Sequence, residues 1–167
     1  MDYPGKVINT DNKFKYVMAL TLNPAQDYKD GVIRCIIDRE GSVDTKGFKD
    51  QSLLYKVKGE SLNKFEIIEP LYIKHEKNIA KQFGKPNWEF LGLEDPDLWF
   101  DENTKLLHLY FTIAFHDNIH DRFLVNLGHA VGKDIDSLEM TLPVLWSDEK
   151  CPGGAKEVSI APVNQQG

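Results

Sequence analysis

Residues 90–115 read FLGLEDPDLWFDENTKLLHLYFTIAF. Two strand-like runs flank the polar turn DENT, and the first of them carries Glu94, Asp95 and Pro96 between apolar residues. β-Branched and aromatic residues bounded by Asp, Asn and Lys read as a β-hairpin rather than a helix. A carboxylate flanked by apolar residues is costly unless it is paired or used, so Glu94 and Asp95 mark a place where the chain needs charge.

The same reading extends in both directions. Strands are expected over 16–22, 31–38, 52–58, 65–73, 97–100, 105–115, 122–131, 140–146 and 157–163. The turns YKDG, DENT and HDNIHD suit tight connections. Only 76–85, EKNIAKQFGK, carries a short helical turn, ending near Gly84. No βαβ alternation is present, which excludes a nucleotide-binding α/β sheet.

The chain has 167 residues and a net charge of −6. That length supports one domain with a real core, read as a single β domain over 1–167. The acidic balance argues against a nucleic-acid groove or an anionic membrane surface, both of which need clustered Lys and Arg. No apolar run approaches the roughly 20 residues of a membrane span. MDYPGKVINTDNKFKY has no apolar core of a signal peptide, so a cytoplasmic setting is expected. Cys35 and Cys151 make neither a disulfide framework nor a zinc site. Cys35, in an apolar strand, reads as a buried free thiol.

X-Pro pairs recur at Asn23-Pro24, Asp95-Pro96 and Ala161-Pro162, spaced 72 and 66 residues apart. About three further strands lie between successive marks. Four strands per unit at such a period is the arithmetic of a β-propeller blade. The sequence then holds about two blades and the first strand of a third. An open two-blade sheet leaves an unpaired edge, so the expectation is a longer chain or a homo-oligomer whose copies complete one another. A small complete β-sandwich or half-barrel is the alternative.

GLEDPDLWFDENTKLLHLYFT resembles the five-bladed β-propeller glycosidases, most nearly the β-mannoside phosphorylase and β-mannosidase family. GLEDPD (92–97) is similar to that family's Glu-Asp-Pro-Arg box. LNPAQDYKDGVIRCIIDRE (22–40) resembles its upstream element, an Asn-Pro and a Gly-containing hairpin leading to an Arg. GHAVGKDIDSLEMTLPVL and GGAKEVSIAP resemble a blade's closing strands and the entry to the next blade. Two departures stand out. Asp97 occupies the place of the family's Arg, and Arg39 falls one residue later than the pattern expects. The first weakens phosphorolysis more than hydrolysis, because an Asp repels phosphate.

The resemblance implies an inverting glycoside hydrolase or phosphorylase acting on β-mannosides or related oligosaccharides. Inorganic phosphate is the co-substrate if it is a phosphorylase, and no other cofactor is expected. Asp95 is then the proton donor, with its carboxyl facing a central funnel, and Asn23 lines the sugar site. An Asp-Pro turn with a capping carboxylate and a pre-proline turn residue are the plainer readings of these two.

An inverting enzyme needs two carboxyls roughly 6.5–9.5 Å apart. Neighbours on one strand point to opposite faces, so Glu94 is expected to orient or pair a nearby group rather than act with Asp95. Glu157 is the candidate second carboxylate, and Arg39 and Lys156 are candidate cations for phosphate or polar substrate groups. Each has a plainer reading as a solvated charge. Trp88 is the candidate aromatic face for a sugar ring. HDNIHD (116–121) has the composition of metal ligands but no partner ligand in view, and no metal site is expected. The alternative function is a non-catalytic carbohydrate- or protein-binding module. A third reading treats the chain as a structural β domain whose Glu-Asp-Pro is a turn.

Overall fold

The computed structural model describes residues 7–10, 13–146, 154–156 and 158–160. Among these residues, nine strands form one open sheet. They are β1 (Ile8–Asn9), β2 (Tyr16–Leu22), β3 (Asp30–Glu40), β4 (Lys49–Ser61), β5 (Lys64–Pro70), β6 (Trp88–Asp101), β7 (Leu106–Asp117), β8 (Arg122–Gly132) and β9 (Glu139–Met140). One helix, α1 (Glu76–Phe83), lies between β5 and β6. The chain is predominantly β, as the alternation of its apolar residues implies. No helix among the described residues is long and apolar enough to cross a membrane.

The sheet consists of two antiparallel meanders. β2, β3, β4 and β5 form the first, with β1 parallel to β5 at its edge. β6, β7, β8 and β9 form the second. The meanders join at a single parallel bridge, Ser52 to Gly92. Hairpin chemistry explains the local order. Lys105 has φ +59 at the end of the DENT turn, and Asp101 accepts from the Asn103 amide and the Thr104 hydroxyl there. β7 and β8 then pair along their full length without a shift of register.

Two apolar clusters follow from the period-2 alternation. Val32 and Leu54 of the first meander pack with Leu93, Leu98, Leu109, Phe111, Ile113 and Phe115 of the second. Ile33, Cys35, Tyr55 and Val57 point the other way and pack with Phe65, Phe14 and Val17. Adjacent residues of β3 therefore serve opposite faces. Cys35 is free and fully buried, and burial pushes its thiol up to about 12.

Several strand boundaries differ from expectation. β6 runs over 14 residues instead of starting at Asp97, because Trp88, Glu89 and Phe90 continue its pairing with β7. β9 has two residues. Pro143 interrupts the run 140–146, which returns to the sheet at an isolated Leu127–Leu145 bridge. Residues 158–160 are described but carry no strand, and the rest of the expected final strand lies outside the described residues, as does Cys151. The X-Pro marks are also not equivalent. Asn23-Pro24 opens a 3-10 turn after β2, whereas Asp95-Pro96 is a bulge inside β6. The third mark lies outside the described residues.

Gly92 sits at the junction of the meanders with φ +119. A Cβ there would overlap the Ser52 carbonyl oxygen. Gly92→Ala therefore forces strained backbone and a parting of β4 from β6. It should destabilise the fold by more than about 2 kcal/mol, measured as a lower denaturation midpoint in urea.

Candidate functional site

Arg34 lies in the middle of β3, on the face that carries Val32 towards the second meander. Ser52 on β4 is nearly inaccessible, at 1%, and its small side chain leaves room beside the Gly92 crossing. That crossing carries the start of the Glu-Asp-Pro segment over Arg34. The guanidinium uses three nitrogens there. Nη2 donates to Glu94 Oε1 at 2.6 Å, Nη1 to Asp95 Oδ1 at 3.1 Å, and Nε to Ser52 Oγ at 3.0 Å. The Ser52 hydroxyl in turn donates to Glu94 Oε1 at 3.0 Å.

Two consecutive carboxylates thus meet one cation, contrary to the expectation that strand neighbours diverge. The reason is the bulge. The register of β6 against β7 shifts between Glu94 and Asp97, and Asp95 adopts φ +46. Aspartate tolerates that left-handed conformation better than most residues. The bulge turns the Asp95 side chain back to the side that Glu94 occupies. Glu94 pairs with a nearby group, and that group is Arg34.

Next to this cluster is a cavity of about 360 Å³. Arg34, Glu94, Asp50 and Lys156 supply the charge of its lining, and Phe48, Phe123, Ala114 and Val125 the rest. Lys156 Nζ is 3.9 Å from Asp95 Oδ2. The backbone just before it is tied to β8 by the Ala155 amide, which donates to the Val125 carbonyl. Burial pushes the Glu94 carboxyl above its ordinary value; Arg34 and the Ser52 hydrogen bond oppose that rise, and the neighbouring Asp95 adds to it.

The other residues singled out in the sequence are distributed as follows. Arg39 forms a fork with Asp50, at 2.6 and 2.7 Å, and stacks 4.0 Å from the Tyr16 ring centre. It borders the cavity through Asp50 and through Phe48, whose ring centre lies 5.3 Å from the guanidinium. Asn23 is 2% exposed; its Oδ1 accepts from the Ala25 amide and its backbone amide donates to the Asp30 carbonyl, so it holds a turn. Trp88 stands at the opposite end of β6, six residues from Glu94 and about 20 Å along the strand. It packs against Phe115 with ring centres 5.8 Å apart. Phe48 and Phe123 are the aromatic residues of the cavity instead. Asp97 lies next to the contact that ties β2 to β6, the Leu98 amide donating to the Thr21 hydroxyl oxygen at 3.0 Å. Glu157 lies outside the described residues.

HDNIHD is a hydrogen-bonded hairpin tip. Asp117 accepts from His120 and Asn87 side chains and from the Ile119 and His120 amides. Burial acts to raise its carboxyl, but those hydrogen bonds outweigh burial and hold it below the ordinary range. Among the described residues, no group of three or more His, Cys, Asp or Glu side chains is placed to hold a metal ion.

Arg34 and Asp50 are the site residues the sequence reading missed. A signal for Arg34 was present: an arginine inside the apolar alternation of GVIRCIID must face a buried acid. Asp50 carried none, since an aspartate at a strand start looks solvated. No protein-family model matches this chain, and neither does any curated protein.

Arg34→Leu leaves two largely buried carboxylates without their shared cation. It should cost about 3 kcal/mol at neutral pH, measured by urea unfolding. Glu94 supplies a pH test. Its folded-state value is raised, so its share of stability is present at low pH and is lost as pH rises through that value. Glu94→Gln does not titrate. The stability of this variant relative to the native protein should therefore improve between pH 4 and pH 7.

Proposed function

We propose that this chain is a glycoside hydrolase or phosphorylase-like protein that acts on β-mannosides or related oligosaccharides with inversion. The observation that carries the reading is a pair of acidic groups lining one cavity, Glu94 and Asp50, together with the aromatic Phe48 and Phe123. Two consecutive antiparallel meanders of four strands each support the reading of these as two propeller blades. The resemblance of GLEDPD to the glycosidase box gives the reaction class.

Asp50 and Ser52 alternate onto one face of β4, about 7 Å apart, and Glu94 is hydrogen-bonded to Ser52. Both carboxyls therefore line the same cavity, as the acid and base of an inverting enzyme must, with room for water between them. In this reading a carboxyl held by Arg34 donates its proton to the glycosidic oxygen as the bond to the anomeric carbon breaks. The resemblance gives that role to Asp95. The geometry favours Glu94, which lines the cavity and whose carboxyl burial keeps more readily protonated than usual. Asp50 takes a proton from the water that attacks the opposite face of the ring. In a phosphorylase, phosphate attacks instead and Lys156 is the cation best placed for it.

Asp97, standing where the family has Arg, favours a second reading: a carbohydrate-binding relative without turnover. One experiment separates them. β-1,4-Mannobiose is incubated with the protein with and without phosphate, and binding is followed by calorimetry. The enzyme reading expects release of mannose, or of mannose 1-phosphate when phosphate is present. Glu94→Gln or Asp95→Asn should lower the rate at least about 100-fold and change affinity only a few-fold. Binding without any product supports the binding module, and neither binding nor product rejects both.

A further inference from the structure

β7 and β8 each carry a histidine on the face opposite Leu107, Leu109 and Ala130 of the core, and the two rings meet. His108 Nδ1 lies 2.9 Å from His129 Nε2. His129 Nδ1 lies 2.9 Å from the hydroxyl of Thr141, just past β9. That hydroxyl also reaches the carbonyls of His129 and Leu142, at 3.2 and 3.0 Å. Carbonyls only accept, so the hydroxyl hydrogen goes to one of them. Thr141 Oγ1 then accepts from His129 Nδ1, which leaves His129 Nε2 to accept from His108 Nδ1. The network thus assigns both tautomers. His108 Nε2 ends the relay as a bare lone pair, inaccessible to water and without a hydrogen-bond partner among the described residues.

A proton has no good place on this relay. On His129 Nε2 it sets two N–H groups against each other. On His108 Nε2 it makes a buried N–H with no acceptor, which is costly. Among the described residues, the ionisable groups on the same face are Tyr110, whose ring centre is 4.8 Å from that of His129, Asp97 and Asp101 of β6, and Glu139 of β9. None of the three carboxylates bonds either ring. The Thr104 hydroxyl and the Asn103 amide hold Asp101 below its ordinary value, with His108 a smaller contributor, and Glu139 is engaged by Lys74 and His75. Burial, and then the neighbouring His108, push His129 below its ordinary value.

Thr141 is the first anchor of a segment laid along β8. Its amide donates to the His129 carbonyl, the Val144 amide to the Leu127 carbonyl, and the Ala155 amide to the Val125 carbonyl. Lys156 follows, in the lining of the Arg34 cavity. The β7–β8 ladder is long and in unbroken register, so the segment yields before the ladder does.

We infer that the His108–His129–Thr141 relay is an acid-sensitive latch: proton uptake breaks it and loosens the segment after β9, from which the chain leads on to Lys156 at the Arg34 cavity. Closure is complete above the ordinary histidine value of about 6.5 and weakens as pH falls below it, because the open form, with its rings in water, binds the proton better. The latch does not depend on the activity proposed for that cavity.

The test is NMR on the whole chain. At pH 7.5, the ring nitrogen shifts should show both histidines as the Nδ1–H tautomer. Between pH 7.5 and pH 5.5, the hydrogen-exchange protection of the Thr141 and Val144 amides, corrected for intrinsic exchange, should fall at least about threefold. Leu109 and Phe111 in the ladder should keep theirs. His129→Gln, which cannot take the proton, should remove the fall. So should Thr141→Val, which leaves the histidines in place but cuts them from the segment. An Nε2–H tautomer of His129 at pH 7.5, protection that ignores pH, or an equal fall in both variants overturns the latch.

Discussion

The structure turns on one guanidinium. Arg34 holds Glu94, Asp95 and Ser52 at once, and so ties the middle of the first meander to the bulge of the second. Apolar packing brings the two meanders together but has no direction. Three charge-assisted or hydroxyl hydrogen bonds from a planar fork do have one, and they fix how β6 lies over β3 and β4. The same contacts hold two carboxylates largely out of water without leaving either unpaired.

That arrangement depends on small residues at the crossing. Gly92 lets β6 touch the backbone of β4, and Ser52 offers a hydroxyl where a larger side chain would hold the strands apart. The bulge after Glu94 then reverses the usual alternation. Strain at Asp95 is repaid by the ion pairs it makes possible. A cavity beside this junction collects charge from three places: β3 and β4, the β6 bulge, and the segment that carries Lys156 alongside β8.

The two ends of β6 differ in character because the strand is long. One end lies over the Arg34 cluster, where acids and cations compensate one another. The other lies under α1, where lysines gather above aromatic rings. A single strand of about 14 residues spans roughly 45 Å when extended. It therefore borders two separate clefts.

Much of the fold was legible in the sequence. YVMALTL marks β2 to the residue, and RFLVNLGHAV marks β8 to within one, because alternation and turn residues are local signals. The stretch 76–85 read as a short helical turn, and α1 occupies Glu76–Phe83 of it. The acidic pair at Glu94 and Asp95 announced that charge was needed there. Local pattern could not say which cation answers, since Arg34 and Arg39 sit on the same strand five residues apart. The bulge at Asp95, the crossing at Gly92 and the register of β3 on β4 decided for Arg34 and left Arg39 to Asp50. Those are choices of backbone path between strands distant in sequence. The sequence by itself determined where the strands lie and that buried charge had to be paired; only the tertiary structure, through the sub-ångström demands of contact between non-adjacent strands, decided the partners.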